Sequence, residues 1–368
     1  MQWNAEGVNS KKDAYSKKME LENILYQKEV SICCIQETHL IPGQAFKIRG
    51  YQCHRSDRRD RRKGGILTRV RNNIDAHPTQ EYMEGAEFHA LQIRTNSTEF
   101  SLINYYCPND KPLSLEAINL TGRFIACGDF NSHSQSWGYD HLDKRGEEVE
   151  NWQDELGLLL INQRYDTPTF YSRAWHTTST PDIAFHTPDL GWTVRREVGD
   201  QLGGSDHRPV FLTIETELVE TSSPLPRWNY KKANWGLFKH RTSVLATDIS
   251  TQRKDINNLI REFNAALLQA GKECIPRGAR RNCKPYWTED LERQKKEVND
   301  ARNKAEEQPS QENHDNFQKS KPKLQRLKLE LKRSSWKERT ASLNFEKDGC
   351  KLWKLISQLM TTPAGTAE

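Results

Sequence analysis

Phe124-Ile125-Ala126-Cys127-Gly128-Asp129-Phe130-Asn131 is the stretch from which the rest of the chain can be read. Four apolar residues closed by a glycine describe a strand buried on both faces, which leaves Asp129 and Asn131 at its carboxyl end. Residues two apart on an extended backbone point the same way. A carboxylate able to orient a water and an amide able to donate to a phosphoryl oxygen therefore share one sheet edge, although Asp-x-Asn alone is more often only a turn that ends a strand.

Similar short apolar runs recur on either side, at Ile32–Ile35, Gly65–Thr68, Leu102–Tyr105 and Val210–Ile214. Between them the spacing predicts helices over Lys17–Gln27, with Met19, Leu21, Ile24 and Leu25, and over Gly146–Leu160, with Val149, Trp152, Leu156 and Leu159. Strands and helices mixed in this way predict an α/β (α+β) domain over residues 1–220, its sheets layered and covered by helices. Ser222-Ser223-Pro224-Leu225-Pro226 predicts a linker, set at 221–227, and residues 228–368 show no strand-like alternation. There Ile256, Leu259, Ile260, Phe263, Ala266, Leu267 and Ala270 mark one face of an amphipathic helix, and Leu324, Leu327, Leu331 and Trp336 follow at helical spacing.

The 368 residues leave room for two or three domains, and 33 aromatic residues exclude wholesale disorder despite 29% charged residues. The longest apolar stretch, Leu156–Ile161, is far shorter than the ~20 residues of a membrane span, and MQWNAEG lacks a leader pattern, so no membrane role is expected. Eight cysteines without a CxxC or CxxH pair predict reduced thiols rather than a disulfide framework or a zinc site. Charge is divided unevenly: residues 1–220 hold 25 Lys and Arg against 32 Asp and Glu, and residues 221–368 hold 30 against 18. The basic part suits a polyanion, though solvated basic helices without such a partner are equally common.

Glu37 closes the run Ile32–Ile35 within Gln36-Glu37-Thr38, and Asn4 lies in what could be the opening strand. Magnesium needs only one or two carboxylates and keeps several waters, so Glu37 could hold it; an isolated glutamate at a strand end is more often merely solvated. Gly203-Gly204-Ser205-Asp206-His207-Arg208-Pro209 turns sharply before another strand and can bring Asp206 and His207 into a cleft. A distant carboxylate such as Asp182 could fix the tautomer of His207 and keep it protonated, whereas a lone histidine is more often structural.

Taken together, Asn4 in WNAEG, Glu37 in QET, Tyr106 in YCPN, Asp129 and Asn131 in GDFN, Asp182 in STPDIA and Asp206-His207 in SDHRP resemble the endonuclease/exonuclease/phosphatase superfamily. NSHSQSWG from Asn131, DKRGE from Asp143 and TPTF from Thr167 are similar to the apurinic-type endonuclease domain of jockey-like non-LTR retrotransposons. The resemblance covers roughly residues 2–216. RWNYKKANW from Arg227, KPYW from Lys284 and SSWKERTASLN from Ser334 look like the segment that joins such a nuclease to reverse transcriptase.

The resemblance implies a four-layer α/β/β/α sandwich of two facing mixed sheets followed by a mostly helical basic tail. It implies a Mg²⁺-dependent endonuclease (Mn²⁺ as an alternative ion) that nicks double-stranded target DNA and leaves a 3′ hydroxyl for reverse transcription. Glu37 would be the principal metal ligand, with Asn4 and, through water, Asp206. Asp129 would orient or deprotonate the attacking water, and Asn131 and His207 would stabilise charge on the phosphorane-like centre. Asp182 would hold His207, and Tyr106 would contact the phosphate or the leaving oxygen.

Element RNA is a candidate partner of the basic tail and the nucleus the expected location, while the reverse transcriptase itself is read as absent from this chain, a truncated reading frame. Met1 lies only three residues before Asn4, which suggests a clipped first strand, and Lys11–Lys18 reads as an enlarged basic loop. Arg55, Arg58, Arg59, Arg61, Arg62 and Lys63 are candidate DNA-phosphate contacts, with Asp57 and Asp60 as competing partners. The rival readings are a related phosphoesterase or repair nuclease of the same fold, and a decayed nucleic-acid-binding remnant.

Overall fold

The computed structural model describes residues 1–8, 14–58, 63–80, 87–118, 122–191, 194–219, 228–247, 249, 255–277 and 286–341, with single positions at 343, 349 and 353. In chain order the elements of the first part are β1 (Gln2–Asn4), α1 (Ala14–Gln27), β2 (Ile32–Gln36), β3 (Tyr51–Ser56), β4 (Ile66–Arg71), β5 (Ala76–Gln80), β6 (Glu87–Arg94), β7 (Glu99–Tyr106), β8 (Phe124–Asp129) and α2 (Lys144–Leu156). They continue with β9 (Leu159–Leu160), β10 (Phe170–Tyr171), β11 (Thr178–Ser179), β12 (Asp182–His186), β13 (Val194–Val198) and β14 (Val210–Ile214). Helices α3 (Trp235–Thr247), α4 (Ile256–Cys274), α5 (Glu289–Glu307) and α6 (Gln311–Ala341) complete the chain.

Two mixed six-stranded sheets form, ordered β13-β14-β1-β2-β4-β3 and β5-β6-β7-β8-β12-β9. Pairs β1–β2 and β7–β8 are parallel and the other named pairs antiparallel. Side-chain alternation then sorts each strand between two cores. Cys34 of β2 and Ile125 and Cys127 of β8 join Val70, Leu91 and Ala184 in the layer between the sheets. Cys33 and Ile35 face the other way, onto Leu21 and Leu25 of α1. Ala126, Ile183 and Phe185 likewise pack against Val149 and Trp152 of α2. Helix, sheet, sheet and helix are the four expected layers, and the α/β class stands.

One polar residue spans the layer between the sheets. Asn104 of β7 accepts from Gln36 Nε2 at 2.7 Å and donates to Thr68 Oγ1 at 3.1 Å and to the Leu67 carbonyl at 3.2 Å, all buried. Asn104→Ala would remove all three bonds and leave the buried Gln36 amide without its acceptor. We expect it to lower the unfolding free energy by about 2–4 kcal/mol in a urea titration, at an unchanged slope.

The second predicted helix is shorter than expected. Asp143 caps α2 by accepting from Gly146 N at 2.6 Å, and Gly157, at φ +60°, ends it. Leu159 and Leu160 then pair with His186 and Phe185 as a strand. Leu156 and Leu159, assigned to the helix's apolar face, are 45% and 47% exposed. Their helical spacing with Val149 and Trp152 is incidental, because a left-handed glycine stops the helix before it can be used.

The chain divides into two compact units, Met1–Thr221 with Pro285–Glu368, and Ser222–Lys284. This differs from a single body over 228–368, since α5 and α6 group with the sheets. Apolar contact accounts for it: Val298, Ala305 and Phe317 cluster with Tyr171, and Leu291 and Tyr286 with Met19 of α1. The second unit holds α3 and α4, with Asn229 N donating to the Pro276 carbonyl at 2.8 Å and the Arg277 guanidinium over the Trp228 ring at 3.8 Å. On α4, Ala270 is buried while Ile256, Ile260 and Phe263 are exposed. The linker residues 221–227 lie outside the described residues.

Candidate active site

Sheet register gathers the predicted residues at one edge. In parallel β1–β2, Asn4 lies opposite Gln36, so Glu37 emerges beside it. In parallel β7–β8, Tyr106 lies opposite Asp129, and in antiparallel β8–β12 Asp129 lies opposite Asp182. Gln2 pairs with Val210, which brings the residues just before β14, His207 among them, to the same edge. Carboxyl ends of parallel strands thus meet amino ends of antiparallel ones, and six side chains far apart in sequence converge.

Asn4 joins the two halves. Its Nδ2 donates to Glu37 Oε1 at 3.1 Å and to Asp129 Oδ2 at 2.8 Å, while its Oδ1 accepts from Glu6 N at 3.1 Å. Tyr106 OH donates to Glu37 Oε1 at 2.8 Å, and His39 Nε2 lies 3.2 Å from Glu37 Oε2. Asp182 Oδ2 accepts from His207 Nδ1 at 2.9 Å, which leaves His207 Nε2 facing Asp129 Oδ2 at 3.9 Å. Asn131 donates its side-chain amide to the Cys107 carbonyl at 3.0 Å, and its backbone N–H goes to Asp129 Oδ1 at 3.1 Å. Glu37, His39 and Asn131 have φ of +47°, +52° and +48°. Such backbone is strained by about 1 kcal/mol or more per residue and collects at working sites.

Electrostatics separates two carboxylates and an imidazole. Burial would raise the Glu37 carboxyl, but bonds from His39, Asn4 and Tyr106 hold it at about 2, so it is ionised throughout the neutral range. Burial raises Asp129, which is 1% exposed; the attraction of His207 opposes this, Asp182 adds to it, and the carboxyl sits at about 7. Burial would lower His207, yet the adjoining Asp182, with Asp129 and Asp206 behind it, lifts it to about 10. An ionised carboxylate, a carboxylate poised near neutrality and an imidazolium therefore coexist around the Asn4 amide, with His207 Nε2 3.9 Å from Asp129 Oδ2.

Several members of the constellation carried no separate signal in the sequence. Gln2 Nε2 donates to Asp182 Oδ1 at 3.1 Å. Ser205 Oγ takes the His207 N–H at 3.1 Å and donates to the Asn4 carbonyl at 2.8 Å. The Phe170 ring lies 4.9 Å from that of His207. Arg145 binds the carbonyls of Asn131 (2.7 Å), Phe130 (2.8 Å) and Lys111 (2.6 Å), fixing the loop after β8. Arg145 and Ser205 fell within quoted motifs, but only the folded chain shows what each one holds.

Other predicted residues stand apart. Asp206 has Glu6, Arg173, Lys17, Arg302 and His207 as charged neighbours, and no described contact joins it to Glu37. Arg55 donates to the Gln44 and Ile41 carbonyls and to Asp57 at 2.6 Å, and Arg58 is paired with Glu87. Both guanidinium groups are engaged by their own chain. Lys63 is exposed, while Arg59, Arg61 and Arg62 lie outside the described residues, as do Lys11 and Lys12 of the first loop.

Comparison with known proteins agrees with the motif reading. Residues 100–211 match the family model described as endonuclease-reverse transcriptase. The chain is 26% identical over 172 residues, 42% of its length, to the putative 115 kDa protein in type-1 retrotransposable element R1DM of Drosophila melanogaster. It is 21% identical over 292 residues, 75% of its length, to the RNA-directed DNA polymerase from mobile element jockey of the same organism. It spans only 16% and 30% of those two relatives. Among solved structures, the endonuclease domain of TRAS1, a telomere-specific non-LTR retrotransposon, is 26% identical with a TM-score of 0.47, covering 58% of this chain and 96% of that one. The Xenopus laevis APE2 catalytic domain is 18% identical with a TM-score of 0.46, covering 60% and 93%.

Proposed function

We propose, from a constellation built on the endonuclease/exonuclease/phosphatase fold, that the chain is a divalent-metal-dependent endonuclease that nicks one strand of double-stranded DNA and leaves a 3′ hydroxyl. The observation that carries this is the Asn4 amide bridging two carboxylates of opposite character beside the Asp182–His207 pair. The matches to an endonuclease-reverse transcriptase family model and to proteins of retrotransposable elements support DNA as the substrate, and the use of the 3′ end as a primer is part of the same proposal. Element RNA at the basic residues and a nuclear location belong to the same reading.

The donor set fits a hard cation. Glu37 is ionised and only half-buried, and among the described residues no group of three His, Cys, Asp or Glu could form a closed metal cage. Magnesium retains its waters and asks little more than one carboxylate. Glu37 would hold it, and Asn4 would join once its amide turned Oδ1 away from Glu6. When bound, the ion offsets charge that develops on the scissile phosphate and leaving oxygen.

The chain's own groups do the rest. Asp129, ionised above about 7, orients the attacking water and accepts its proton. His207 keeps its Nδ1–H on Asp182 and presents Nε2–H to a phosphoryl oxygen. Asn131 retains one amide N–H beyond the bond to Cys107 for the same charge, and Tyr106 orients Glu37.

Supercoiled plasmid tests the reading. Open circles with 3′ hydroxyl ends should form with Mg²⁺ or Mn²⁺, EDTA should stop the reaction, and a zinc-selective chelator should have no effect. Equal conversion in EDTA, or rescue by zinc alone, would contradict it.

A further inference from the structure

We infer that helix α5 is a working part of the active site: Arg302, with Glu306, is a positioning residue that sets His207 by holding the residues on both sides of it. The inference rests on the nuclease reading and adds to it a segment some 95 residues from the catalytic loop.

Both neighbours of His207 are tied to one helix turn. The Asp206 carbonyl accepts from Arg302 at 3.1 Å and from Tyr171 N at 3.0 Å. The Arg208 guanidinium donates to Glu306 Oε2 at 2.5 Å and to Asn303 Oδ1 at 2.7 Å. Glu306 Oε1 in turn takes Arg302 Nε at 2.5 Å, so one carboxylate bridges two arginines. Arg302 is 1% exposed and Arg208 5%. Tyr171, whose ring lies under the Arg302 guanidinium, anchors the arrangement to α6 through its hydroxyl, 2.8 Å from His314 Nδ1.

The chemistry argues against simple glue. A buried Arg–Glu–Arg group carries a net positive charge and pays desolvation for three ions, so apolar side chains of equal volume would bind the helix to the sheets as well or better. What ionic groups add is direction: planar guanidinium donors fix an oxygen within a few tenths of an ångström. Here the fixed atoms flank the imidazole whose Nε2 must meet a phosphoryl oxygen, where an error of 1 Å costs about a hundredfold in rate. Apolar packing by Leu291 and Phe317 already supplies docking.

The test uses the full chain with Arg302→Ala, Arg302→Lys, Glu306→Gln and, as a docking control, Leu291→Ala. Arg302→Ala should lower kcat for plasmid nicking about tenfold to a hundredfold with KM within about twofold, and should move the His207 ring signals in a ¹H–¹⁵N spectrum. Lys at 302 should recover part of kcat, since it still reaches the Asp206 carbonyl. Leu291→Ala should lower the melting temperature with kcat intact. A folded Arg302→Ala protein with wild-type kcat and unmoved His207 signals would overturn the inference, and so would a Leu291→Ala variant losing kcat equally at the same loss of melting temperature. If the wild type fails to nick DNA, the nuclease reading fails, while the His207 signals still report whether Arg302 positions the ring.

Discussion

Glu37→Gln is expected to reduce nicking by at least about a thousandfold in Mg²⁺ without unfolding the protein, and Asp129→Asn to do the same by a different route. Gln at 37 keeps an oxygen for the Asn4 and Tyr106 donors, so the local bonds survive while the charge that holds the cation is lost. Glu37 is also one of the charges that raise Asp129. Removing it lets Asp129 ionise more readily, so the loss cannot be blamed on a protonated base. Asn at 129 keeps one oxygen, for the Asn4 amide or for the Asn131 N–H but not both, and takes no proton from water. Plasmid conversion at saturating Mg²⁺, paired with melting curves, measures both; turnover within tenfold of wild type in either folded variant would remove the assigned roles.

The Asp182–His207 pair should show itself in the pH profile. Burial opposes the charged imidazole, and Asp182 is the leading group that overcomes it, holding His207 at about 10. Because this folded value lies above the ordinary one near 6.5, the stabilisation is complete below about 6.5 and is lost as pH rises toward 10. Turnover should accordingly rise as Asp129 ionises, level off, and fall in the alkaline range as His207 loses its proton. A cation at Glu37 moves the acid limb lower, which makes the alkaline limb the diagnostic one. Asp182→Asn should bring that limb down into the neutral range, a loss of tenfold or more at pH 9 with a smaller one at pH 7, and His207→Ala should cost about 10² to 10⁴ throughout. A ring-nitrogen titration of His207 that stays near 6.5 in the wild type would contradict the argument.

Strands were legible where a run is buried on both faces, because four or more apolar residues need no partner's sequence to be recognised; Phe124–Cys127 and Ile32–Ile35 are the clear cases. The end of α2 was not legible, since Leu156 and Leu159 keep helical spacing across the glycine that stops the helix. Site residues could be named because their motifs together resemble one superfamily; each lies at or beside a strand end, so register then gathers Asn4, Glu37, Tyr106, Asp129, Asp182 and His207. Residues acting on that set from a distance could not. Gln2 reads as a buried strand position and Arg302 as one charge among many on a basic helix, and their partners lie 180 and 96 residues away. In the arginine run from 55, charge density suggests an external anion, while Arg55 and Arg58 have internal partners in Asp57 and Glu87.

Asn104 gives the division of the site between two sheets a wider meaning. Asn4, Glu37 and His207 ride on one sheet and Tyr106, Asp129 and Asp182 on the other, so the reacting groups face each other across a joint instead of sharing one rigid platform. Any change of volume along that joint, at Val70 or Leu102 as much as at Asn104, shifts one half-set against the other. On the proposed nuclease reading, substitutions deep in the interior, at residues that never meet solvent, would therefore change the rate as well as the stability.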